Sequence, residues 1–106
     1  VKIAYNAART NEEQLEQIIT QKWIAMFPDG QEAWSEFRRT GYPRIYPVKV
    51  NNSGGKIDTN IQIRRINFVQ DEVNTNGENV TTAIGYLNGP DNGGTRLWWD
   101  IPGSNF

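Results

Sequence analysis

Between Thr10 and Arg39 the apolar residues fall in two helical registers separated by a single break, and that arrangement dictates a hairpin of helices. Leu15, Ile18, Ile19, Trp23, Met26 and Phe27 recur at three- and four-residue steps, which draws one apolar face on a helix. Thr10 followed by Glu13 has the form of a capping box, with Glu12 and Glu13 near the positive end of the helix dipole. Pro28-Asp29-Gly30 stops this helix and starts the next, Asp29 serving as a cap with Glu32 three residues on. Ala33, Trp34 and Phe37 share the second face. Gly41 suits a left-handed terminus and Pro43 forbids continuation. Helices are therefore expected over about 10–27 and 30–40, packed antiparallel, with Trp23 and Trp34 in the core. Lys22 interrupts the first face. Its ammonium either snorkels to water or, inside a larger domain, meets a buried acid.

Beyond Tyr42 the chain turns rich in Pro, Asn and Gly, so extended structure and an exposed loop are expected as far as Asn60. Ile61, Ile63, Ile66 and Phe68 suit one or two short strand-like runs, with the phase slipping at Arg64-Arg65 as in a bulge or in extended coil. A third, short helix is expected over about 76–88, with Val80, Ala83, Ile84 and Leu87 on one face and Gly89-Pro90 as its stop. A turn at Asp91-Asn92-Gly93-Gly94 leads into a packed tail. The expected fold class is mainly α, a helical hairpin plus a short third helix with long irregular and extended loops, forming one unit over 1–106. The hydrophobic fraction is 37% and the mean hydropathy −0.67, yet four Trp, four Tyr and four Phe argue against disorder. The core looks thin if the chain stands alone.

The chain holds no Cys and no His, which removes disulfides, thiol nucleophiles, Ser-His-Asp triads and His- or Cys-based metal sites within it. A net charge of −1 with no basic face gives nucleic acid nothing to bind. No apolar run approaches the ~20 residues that span a bilayer. The first residue is Val1 rather than Met, so a truncated or processed product is expected. The carboxylates, Asp71-Glu72, Glu78, Asp91 and Asp100 among them, all have ordinary capping, turn or solvated explanations. No catalytic residue and no cofactor are expected, and the chain reads as a non-enzyme. The Asp91 turn lacks the alternating oxygen ligands of a calcium loop, so no metal is expected there either.

Two constellations could touch a ligand. Trp98-Trp99 is the candidate carbohydrate-binding pair, because the C–H face of a pyranose packs on an indole. In an extended segment the two rings face opposite ways, so at most one would be presented. The competing reading makes them anchors of the tail. Arg38-Arg39 and Arg64-Arg65 could clamp an anionic ligand bidentately. The structural reading has them tying helix-end carbonyls and acids such as Glu72 or Glu78, and the last turn of a helix favours Arg38-Arg39 in any case.

Several strings resemble the C-terminal part of the SusD/RagB family. They are Gln21 to Phe27 with Gly30 and Glu32-Ala33-Trp34; Phe37-Arg38-Arg39-Thr40-Gly41-Tyr42-Pro43; Ile61 with Arg64-Arg65, Glu72 and Asn76; and Leu97-Trp98-Trp99-Asp100. The chain departs from the family pattern at Gln62, where Pro is usual, and at Phe68-Val69, where Tyr-Pro is common. The resemblance implies a piece of a larger, tetratricopeptide-like helical protein that is lipid-anchored on the outer face of a Bacteroidetes-type outer membrane. It also implies a partner, a SusC-like TonB-dependent transporter, and a glycan or peptide ligand captured for import. The anchor would lie outside this chain, and ligand contacts in the family come mostly from upstream loops, leaving this segment mainly scaffold. A free-standing carbohydrate-binding module using Trp98 or Trp99, and a purely structural or partner-docking module, are the alternatives.

Overall fold

The computed structural model describes residues 4–101, so the tail beyond Ile101 lies outside the described residues. These residues hold four helices, α1 (Asn11–Ala25), α2 (Gly30–Thr40), α3 (Gln70–Thr75) and α4 (Gly77–Gly85), and no strand. The mainly α class expected from the sequence is what forms. The chain divides into two compact units, one running to Ile45 and the other starting at Tyr46.

In the first unit the hairpin starts at a complete capping box. Thr10 Oγ1 accepts from the Glu13 N–H at 3.3 Å and Glu13 Oε2 accepts from the Thr10 N–H at 3.0 Å. That hydrogen bond from the Thr10 backbone holds the Glu13 carboxyl below its ordinary range. α1 ends at Ala25, two residues earlier than its apolar run suggests, because Pro28 cannot continue it. Asp29 then caps α2 by accepting from the Glu32 N–H at 3.1 Å. Gly41 closes α2 in the left-handed region, φ 75°, and donates its N–H to the Phe37 carbonyl at 2.8 Å.

Lys22 meets acid, as one of its two expected fates allowed. Its Nζ donates to Glu36 Oε1 at 2.7 Å and to Glu32 Oε1 at 3.1 Å, which pins α1 to α2. The hydrogen bond from Lys22 lowers the Glu36 carboxyl, and the Glu36 bond in turn raises Lys22. Ile19, Ala33, Phe37 and Tyr42 make the buried core of the unit. The Tyr42 hydroxyl donates to Glu12 at 2.8 Å, so that buried ring keeps its polar end satisfied.

Trp23 and Trp34 are not the core residues expected of them. Trp23 is 41% exposed, Ile18 and Ile24 are exposed with it, and Phe27 is 87% exposed. Two helices touch along one line, and the apolar residues of α1 spread over a wider arc than α2 can cover. Trp34 is half-buried and carries the Arg38 guanidinium 3.6 Å above its ring.

In the second unit the helix expected over 76–88 forms as α4 but ends sooner, at Gly85, and a separate short helix, α3, stands ahead of it. Asn76 (φ −136°, ψ 34°) breaks the pair, and Tyr86 and Leu87 lie in the closing turns of α4. Val80 is buried and Ala83, Ile84 and Leu87 are half-buried. The segment expected to be strand-like is extended coil, with an isolated antiparallel bridge between Asp58 and Gln62. The fully packed side chains of this unit are mostly polar: Arg64, Arg65, Thr95 and Asp100 join Val80. Gly93 lies at their centre, donating to the Lys56 carbonyl at 2.7 Å and accepting from the Arg64 N–H at 2.7 Å. A Cβ there would stand 3.1 Å from the Lys56 oxygen and 3.2 Å from Ile57 Cγ1, so any larger residue would have to push these neighbours back by a few tenths of an ångström.

Candidate functional site

Leu97-Trp98-Trp99-Asp100 forms a turn rather than an extended segment, closed by the Asp100 N–H donating to the Leu97 carbonyl at 2.9 Å. A turn separates neighbouring side chains as a strand does, but less symmetrically. Trp98 is 91% exposed, while Trp99 is 36% exposed and partly packed.

The turn is held by one buried carboxylate. Arg64 donates to Asp100 through both Nε, at 2.8 Å, and Nη2, and both side chains are fully shielded from water. Arg96 adds an Nη1 hydrogen bond to Asp100 Oδ1 at 2.8 Å from one helical-turn distance away in sequence. The planar guanidinium of Arg64 grips both carboxylate oxygens at once, the geometry that makes such pairs strong and directional. Next to it Arg65 pairs with Asp91, which also accepts from the Phe68 N–H at 3.2 and 3.3 Å. Asn92 Oδ1 accepts from the Gly94 and Thr95 N–H groups at 3.0 Å each, which fixes the glycine turn beside these pairs.

Against the exposed side of the Trp98 turn lies an open depression of about 450 Å³, bordered by Tyr86, Leu87, Asn88, Arg96, Leu97, Trp98, Asp100 and Ile101. Tyr86 is 85% exposed. Two aromatic rings, an amide and a guanidinium thus border the same depression. A second depression of about 450 Å³ lies in the hairpin, bordered by Trp23, Ile24, Phe27, Pro28 and Ala33, and is almost wholly apolar.

The four arginines, which the sequence left open as an anion clamp or as structural ties, take different partners. Arg38 stacks on Trp34, and Arg39 donates to Glu36 at 2.6 Å, both within α2. Arg64 and Arg65 take Asp100 and Asp91. Glu72, named with Glu78 as an acid such ties could use, is exposed and accepts from Asn76 Nδ2 at 3.2 Å. Sequence reasoning missed Arg96, Tyr86 and Asn88, and it showed Asp91 and Asp100 only as ordinary carboxylates, not as the partners of Arg65 and Arg64. The four-residue step from Arg96 to Asp100 was a readable signal for one pair. Nothing local marks a contact spanning from residue 64 to 100. Among the described residues no group of acids is arranged to hold a metal ion, and no helix is long and apolar enough to cross a membrane.

The chain is similar to known proteins in sequence and in fold. A family model described as SusD-like, the SusD and RagB outer-membrane lipoproteins, matches residues 1–100. A chitin-binding SusD homologue from Flavobacterium johnsoniae is 59% identical, with a TM-score of 0.89 over 100% of this chain and 22% of that one. A SusD homologue from Bacteroides vulgatus is 55% identical, with a TM-score of 0.80 over 96% of this chain and 20% of that one. A third structure, titled a chitin-binding protein, is 30% identical, with a TM-score of 0.73 over 92% of this chain and 20% of that one. No curated protein sequence matches. The chain thus spans about a fifth of the length of these solved relatives. By sequence and by fold, the chain belongs to the SusD/RagB family.

Proposed function

We propose that this chain is the C-terminal, mainly scaffolding part of a longer outer-membrane binding protein that captures a glycan of the chitin type without cleaving it. The observation that carries this reading is the match to the chitin-binding homologue of Flavobacterium johnsoniae, complete over this chain and confined to 22% of the relative. A second match bears a chitin-binding title as well. The exposed apolar side chains of Trp23, Ile24 and Phe27, which border one depression, support the scaffolding role, because monomeric proteins seldom leave large apolar patches in water. In this reading the remainder of the polypeptide covers these side chains and carries the lipid anchor and most ligand contacts. The captured glycan passes to a SusC-like TonB-dependent transporter.

Isothermal titration of the full-length protein with N-acetylchitohexaose, maltohexaose and cellohexaose tests the ligand. Saturable heat with the N-acetylated oligomer alone is expected, with no reducing ends released over a day. Heat from none of the three would sink the glycan reading. Affinity capture of a TonB-dependent transporter from outer membranes by the tagged full-length protein tests the partner, and its absence would remove the transport role.

A further inference from the structure

We propose that the depression beside the tail turn is a pyranose subsite in which Trp98 and Tyr86 supply the stacking rings and Asn88 and Arg96 the hydrogen bonds. The inference rests on the glycan reading above and adds a binding position within this chain to it. Its basis is a contrast between the two depressions of equal size. The hairpin depression is bordered by Trp23, Ile24, Phe27, Pro28 and Ala33 with Asp29 as its one charged residue, the composition of a surface that packs mainly on other apolar side chains. The tail depression has aliphatic walls too, in Leu87, Leu97 and Ile101, but sets an amide and a guanidinium beside its aromatic rings, and that mixture suits a sugar. A pyranose has an apolar C–H face for the rings and equatorial hydroxyl or acetamido groups for polar partners at the rim. At about 450 Å³ the space suits one or two sugar residues and falls within the usual range for small-ligand sites.

The turn is also held in advance of any ligand. Asp100 is fixed by buried Arg64, and Arg96 is fixed by Asp100, so neither Arg96 nor the turn carrying Trp98 must be ordered when a sugar arrives. Arg64 and Asp100 are positioning residues in this account, acting through Arg96 and the turn. A single open subsite of this kind binds weakly alone. It gains its effect when the rest of the protein holds the same polymer, because the second contact is then intramolecular.

The test uses the full-length protein and N-acetylchitohexaose. Hydroxyl-radical footprinting read by mass spectrometry should show Trp98 and Tyr86 oxidised in the free protein and protected by the oligomer. By isothermal titration, Trp98→Ala and Tyr86→Ala should each weaken binding about 5- to 10-fold, while Trp98→Phe, which keeps a ring, should restore it to within about twofold. Trp98 left unoxidised in the free protein, or oxidised equally with and without the oligomer, would overturn the subsite even if Trp98→Ala folds poorly. So would undiminished affinity in both alanine variants. Those results leave the broader glycan reading standing, whereas a wild-type protein that binds no oligomer removes both.

Discussion

Arg64 and Asp100 carry the tightest arrangement in the second unit, and their burial decides what substitution there does. Both side chains are fully shielded, so removing the acid strands a guanidinium that water cannot reach. Asp100→Asn is expected to lower stability by about 3–5 kcal/mol in urea unfolding. Replacing both partners by apolar residues, Arg64→Met with Asp100→Leu, should cost less than that single change, because the fully shielded guanidinium goes with its acid and only the partly exposed Arg96 loses this partner. Glu36 behaves differently because it is partly wet. Lys22 holds its carboxyl below the ordinary glutamate value of about 4.3, so its contribution is full above that value and is lost as pH falls through the lowered one. Glu36→Gln should therefore be less stable than wild type by about 0.5–1 kcal/mol at neutral pH, a gap that closes progressively below about pH 4. Urea midpoints for the two proteins across this pH range check the sign. The acid that meets Lys22 was one of two readings open in the sequence. The partners of Arg64 and Arg65 were not readable, because both ion pairs span a loop-rich stretch with no periodic signal.

Local chemistry explains why the hairpin was legible and the second unit less so. Thr10 with Glu13, and Asp29 with Gly41, are punctuation that works over three or four residues, and the helices formed where it stands. Thr10→Ala removes the acceptor for the Glu13 N–H and should cost about 1 kcal/mol. Gly41→Ala places a Cβ at φ 75° and should cost about 1 kcal/mol as well. Helical circular dichroism during thermal unfolding reads both. α3 escaped notice because its six residues carry one large apolar side chain, Val73, and so trace no periodic face. The alternation of Ile61, Ile63 and Ile66 looked strand-like, but pairing needs a second strand with free backbone groups. The carbonyl of Gly93 is instead taken by Arg64 and the N–H of Gly93 by Lys56, so the segment stays extended coil.

At the scale of the whole molecule, the periodic apolar face of α1 was plain in the sequence, but its destination was not. Periodicity shows that a face is built for burial without showing what buries it. The hairpin shields Ile19 and leaves Trp23, Ile24 and Phe27 open, and the solved relatives are about five times longer than this chain. Both facts fit a chain whose apolar face packs against more polypeptide. The absence of cysteine from these residues makes that claim directly measurable, since an introduced thiol has no background within them. Ile24→Cys in the full-length protein should react with a maleimide at least about 100-fold more slowly than Asn52→Cys on the exposed loop, because a covered thiol reacts only through rare opening. Equal rates at the two positions would show that the hairpin face remains in water and would contradict the scaffold reading.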